Sequence, residues 1–94
     1  MPRHPSPADQ ASRWQRALNE SWPYRNKGGY HARGIPDQVH PITVEVRIVW
    51  ARDGEEWVTG RADRWIETHV HVSVNDDRLQ VPGVWVRPGD VRRI

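Results

Sequence analysis

From Thr43 the chain takes on a period of two, and this limits the fold more than any other feature. Val44, Val46, Ile48 and Trp50 alternate with Thr43, Glu45, Arg47 and Val49, the pattern of a strand with one buried face. Asp53-Gly54 then signals a hairpin turn. The next stretch, EEWVTGRADRW from Glu55 to Trp65, holds two of the six tryptophans and a lone interior Gly60. Val58, Gly60 and Ala62 share one face of this second strand, and Trp57, Thr59, Arg61, Asp63 and Trp65 share the other. Small residues on the inward face, with glycine at mid-strand, suit close backbone approach or a bend at a barrel corner.

Keeping even-numbered residues inward on both strands sets a condition on the connection. A two-residue Asp53-Gly54 loop pairs Trp50 with Trp57 and breaks the parity. A longer loop or a bulge is therefore required, and the bulge is the expectation. A tight turn at Ile66-Glu67-Thr68 leads to a third strand, His69 to Val74, with valines pointing one way and histidines the other. Asn75 to Arg78 reads as a polar loop, Val84-Trp85-Val86 as a fourth strand, Pro88-Gly89-Asp90 as a tight turn and Val91 to Ile94 as a short last strand.

Residues 1–41 are different in kind. Ser6 as N-cap and Pro7 in the first turn predict a helix over about residues 7–21, with Asp9 favourably placed at its N-terminus. Ala11, Trp14, Leu18 and Trp22 fall on one stripe, and Pro23 ends the helix. A helix this short needs a dock for Trp14 and Leu18. Residues 22–41 have no period and are broken by Gly28-Gly29, Gly34, Pro36 and Pro41, so they read as a long arm. Arg25, Lys27 and Arg33 alternate there with Tyr24, Tyr30 and His31, a pattern that suits phosphate contact with base stacking. In the plainer alternative the tyrosines pin the arm to the barrel and the cations face water.

Together these elements define one small, mainly β domain: a five-stranded barrel over residues 42–94, preceded by a helix and a basic-aromatic arm. At 94 residues, with 36% hydrophobic residues and a mean hydropathy of −0.86, its core has to be thin. Six Trp and no Phe mean that a few large rings supply much of the buried area. Cysteine is absent, which excludes disulfide and thiolate chemistry. No stretch has the apolar core of a signal peptide or the length of a membrane span, so a soluble cytoplasmic protein is expected. Charge is uneven: residues 1–41 carry six Arg/Lys against three Asp/Glu, and residues 42–94 carry eight against nine. The barrel is close to neutral, which favours a protein partner over nucleic acid, because phosphate affinity rests on clustered cations.

The pattern VRIVW, RDGEEWVTGRA, HVHVSVNDD and VWVRPGDVRRI resembles the Src-homology-3-like small barrels, with Tudor domains the most similar pattern. The resemblance covers residues 43–94. It implies a five-stranded barrel and places Trp57, three residues before Gly60, where related barrels hold an aromatic for ligand contact. The acidic loop lacks the aromatic after its Asp that a methyl-lysine or methyl-arginine cage uses. The chain also resembles small uncharacterised proteins of actinobacteria and their phages, which implies no activity.

A tight turn at 66–68 pairs residues whose numbers sum to 134, so that Trp65 faces His69, Asp63 faces His71 and Arg61 faces Ser73. With Trp57 and Trp85 these make an outward surface of aromatic, imidazole and guanidinium groups, the candidate protein-binding face. Its cover is either the N-terminal helix or a partner. His69 and His71 alone do not make a metal site, and Asp63–His71 has no nucleophile beside it, so neither a metal, a cofactor nor catalysis is expected. The expectation is a non-catalytic binding module, an adaptor or inhibitor of a partner protein and possibly phage-encoded. The alternatives are nucleic-acid binding through Tyr24, Arg25, Lys27, Tyr30 and Arg33, or a structural part in a larger assembly such as a phage particle. Homo-oligomerisation is compatible with each.

Overall fold

The structure is a computed structural model that describes residues 11–23 and 34–94. Five strands form one antiparallel sheet: β1 (Ile42–Trp50), β2 (Gly54–Trp65), β3 (Val70–Ser73), β4 (Val84–Val86) and β5 (Val91–Arg93). Their spatial order is β4-β3-β2-β1-β5, so a four-strand meander is completed by a last strand that returns beside the first. A single 3₁₀ turn, Pro88–Asp90, makes that return. β4 and β5 are the two edges of the sheet. The sheet curls so that Val84 and Val86 of β4 join the same core as Val44, Val46, Ile48 and Trp50 of β1.

The expected parity holds, by a longer loop and not by a bulge in this hairpin. Trp50 pairs with Gly54 and Ile42 with Ala62, leaving Ala51, Arg52 and Asp53 as a three-residue turn. Gly54 takes φ 78°, the left-handed conformation that such a turn needs at its exit and that a side chain disfavours. Even-numbered residues of β1, with Val58, Gly60 and Ala62 of β2, therefore line the interior. Gly60 leaves no room for a side chain against β3: a Cβ there would meet the Ser73 carbonyl oxygen and Val72 Cγ1, both at 2.6 Å.

The N-terminal region departs from expectation. Its proposed beginning, Ser6 to Asp9, lies outside the described residues, and so do Tyr24, Arg25, Lys27, Tyr30, His31 and Arg33 of the arm. Residues 11–13 are helical, but from Trp14 the chain is not. It runs as a strap tied to the sheet by backbone bonds that a helix would have kept for itself. Gln15 N–H donates to Arg78 O, Leu18 N–H to Val49 O and Ser21 N–H to Trp85 O, while Ala51 N–H donates to Arg16 O. Asn19 clips the strap to β1: its Nδ2 donates to Arg47 O at 2.8 Å and its Oδ1 accepts from Val49 N–H at 2.9 Å. Ala17 bridges Trp50 and enters the core, whereas Trp14, Leu18 and Trp22 are left exposed. Docking of Trp14 and Leu18 on the sheet is thus replaced by burial of the small residue between them.

Two substitutions test these points. Gly60→Val should destabilise the fold by about 1–3 kcal/mol, the usual cost of overpacking, because a backbone oxygen cannot move aside as a side-chain end does. Asn19→Ala, which orphans Val49 N–H, should cost about 1–3 kcal/mol. Urea unfolding of each variant measures both; wild-type midpoints would show that the close approach and the clip contribute nothing.

Candidate functional site

One extra residue in β2 shapes the surface around Trp85. β2 and β3 pair as expected through Arg61↔Ser73 and Ala62↔Val72, but the next pairs are Arg64↔His71 and Trp65↔Val70. Asp63 is the extra residue, a β-bulge, and every side chain beyond it changes face. Arg64 therefore comes to the outer side beside His71. Trp65 turns to the inner side and packs against the core, which corrects its expected place on the outward face.

Freed from the ladder, Asp63 bends toward His71. Its Oδ1 lies 2.6 Å from His71 Nδ1, and since the carboxylate can only accept, the imidazole donates from Nδ1. The other edge of the ring, Cε1 and Nε2, abuts Gly83, where a Cβ would lie only 2.6 Å from both atoms. Glycine is needed there so that the 79–83 loop can rest on the imidazole. The ring tilts against Trp85, with centroids 5.1 Å apart.

Trp85 points away from the sheet interior and is nevertheless only 1% exposed. Ile35 and Ile66 pack on it, the Arg64 guanidinium lies 5.3 Å from its ring centre, and the Trp22 ring stands 6.4 Å away. Trp22 is 52% exposed and Val81 across from it 59%, so each shows half of an apolar surface to water. Both line a furrow of about 480 Å³, together with Arg64, His71, Pro82, Gly83 and Trp85. A second hollow, of about 360 Å³, is lined by residues of β1, β2, β3 and β5, Trp65 among them, together with Glu67 and Pro88.

The expected outward face is accordingly divided. Asp63, His71 and Trp85 come together. Arg61 is exposed opposite Ser73 as anticipated. Trp57 is half-buried in a separate place, beneath the Arg92 guanidinium at 3.9 Å from its ring centre, with Arg92 Nε also donating to Glu45 at 3.0 Å. His69 does not face Trp65. It precedes β3 and is 5% exposed, with Nε2 3.1 Å from Ser21 Oγ and Nδ1 2.8 Å from Thr68 Oγ1. Burial first, and then the charge of Arg87, lower its pKa below the ordinary imidazole value.

Sequence reasoning missed Trp22, Arg64 and the Val81-Pro82-Gly83 loop as parts of one surface. By its spacing Trp22 reads as part of a helix stripe, and no residue type announces a bulge at Asp63. Among the described residues no helix is long and apolar enough to cross a membrane, and no three His, Asp or Glu side chains gather as metal ligands do. No protein-family model, curated protein or solved structure matches this chain.

His69 yields a pH dependence. Its folded pKa is depressed, so as pH falls below about 6.5 the unfolded chain takes up the proton first. The stability that neutral His69 contributes is complete above that pH and is lost as pH falls through the window beneath it. Unfolding midpoints should therefore drop between pH 7 and pH 5 more steeply for the wild type than for His69→Gln, and equal slopes would remove His69 as the cause.

Proposed function

We propose that this chain is a non-catalytic binding module that holds a segment of a partner protein in the furrow between Trp22 and Val81. The observation that carries this reading is the half-exposure of both residues around a buried aromatic cluster. A large ring already fixed on one side by packing offers its other side to a ligand at little entropic cost, and such aromatics dominate interface energetics. A furrow of this size is in the range of ligand-holding clefts. The strand order and the 3₁₀ turn before β5 support the Src-homology-3-like, Tudor-like reading of the fold. The ligand position suggested by that resemblance, Trp57, is occupied by the chain's own Arg92, which favours the Trp22 furrow as the contact site.

Trp22→Ala and Val81→Asp alter exposed surface, so both should keep a wild-type far-UV spectrum and an unfolding midpoint close to the wild type. Both should weaken capture of a partner protein from nuclease-treated lysate of the source organism, by about 2 kcal/mol or ~30-fold for Trp22→Ala. Undiminished capture by both variants, or capture that vanishes with nuclease in the wild type, would sink the reading.

A further inference from the structure

The furrow has a charge asymmetry that specifies what it takes. No carboxylate lines it among the described residues, and the nearby Asp63, outside the lining, is already engaged by His71 at 2.6 Å. The free edge of the His71 ring rests against Gly83 and serves as wall. That leaves Arg64 as the furrow's open polar group. Its guanidinium carbon lies over the Trp85 ring, 5.3 Å from the centre, and the side chain is 27% exposed. Nε is buried and makes no hydrogen bond. Asp37 approaches it to 3.4 Å, close enough for an ion pair but outside hydrogen-bond alignment, and the Asp37 side chain is 83% exposed. A guanidinium stays protonated and offers its donors in a planar fork that matches a carboxylate. Nε itself is shut off from a ligand, so the terminal nitrogens of this partly exposed side chain are the donors that an arriving carboxylate meets, in a setting drier than that of a solvated arginine.

We infer that the segment held in the furrow is acidic and apolar: an extended peptide with a large apolar side chain seated between Trp22 and Val81, and an Asp or Glu beside it paired with Arg64. This rests on the binding-module reading and adds the chemistry of the partner. Asp37 is a weak internal competitor for the same guanidinium. Val81 and Gly83 also line a neighbouring hollow of about 180 Å³, shared with Leu79, Arg16 and Glu20.

The test is selection from a displayed library of random dodecapeptides on the full chain, with Trp22→Ala as the counter-selection. Enriched peptides should carry Asp or Glu next to a large apolar residue. A synthetic copy of the best peptide should bind at least ~10-fold more tightly than its Asn/Gln counterpart on the wild type, and equally with that counterpart on Arg64→Gln. Arg64→Lys, which keeps the charge and loses the planar fork, should retain only part of the preference. Asp37→Asn changes only an exposed side chain, and should tighten the acidic peptide while leaving its neutral counterpart unchanged; this arm stands even where Arg64→Gln fails to fold. Peptides that bind through Trp22 with no acidic preference, or an acidic preference that Arg64→Gln and Asp37→Asn both leave untouched, overturn the inference while leaving the binding module standing. No enrichment over Trp22→Ala overturns both.

Discussion

The burial of Trp50 beneath Arg78 is the contact on which most of the remaining structure converges. Trp50 ends β1, is 1% exposed, and opens the three-residue turn into β2. Ala17 of the strap pairs with its backbone. Arg78 arrives from the loop after β3 and lays its guanidinium 4.1 Å from the ring centre. It holds Asp76 through Nε and Nη2 and Glu56 through both terminal nitrogens, and it also reaches Asp53. Asp76 first, and then Glu56, raise the Arg78 pKa above its ordinary value, so its charge persists at any pH at which the protein folds. Three carboxylates that otherwise repel one another are thereby gathered at one end of the sheet, and the loop after β3 is fixed without regular structure. Removing a buried ring of this size from a core costs about 3–5 kcal/mol in general, and here the same ring also seats the strap and the cation.

The opposite end is organised by the bulge at Asp63. Up to Ala62 the two strands keep one parity, with Val44, Val46, Ile48 and Trp50 of β1 and Val58, Gly60 and Ala62 of β2 on the inner side. After it the alternation reverses, Trp65 joins the core and Arg64 joins His71. A single unpaired residue thus supplies both the closing aromatic of the interior and the cation of the furrow. The strap links the two ends, running from Gln15 on Arg78 to Ser21 on Trp85. Its exposed Trp22 is thereby set against a ring that the chain has already buried.

Much of this was legible beforehand for a definite reason. Val44 to Trp50 alternate without interruption, Gly60 stands opposite them, and Pro88-Gly89-Asp90 marks the last turn, so strand order and inward residues follow from local pattern and parity. The N-terminal region was misread because Ala11, Trp14, Leu18 and Trp22 do recur at a helical interval. Short helices are marginal in isolation, and backbone bonds to Val49, Arg78 and Trp85 outweighed the few that a helix from Trp14 onward would have made. Arg78, assigned to a polar loop, is central because its partners Asp53, Glu56 and Asp76 are distributed over a turn, a strand and a loop.

By itself, then, the sequence determined a mainly β chain of five strands, the faces of β1 and of most of β2, and the absence of thiol chemistry. These are properties of neighbouring residues and of composition. Tertiary structure alone decided where β2 breaks its alternation, that the region before Pro23 is a strap, and that Trp22, Arg64, His71 and Trp85 share a furrow while Trp57 lies under Arg92. Each depends on register between distant strands and on which buried groups find partners, quantities that no local period encodes.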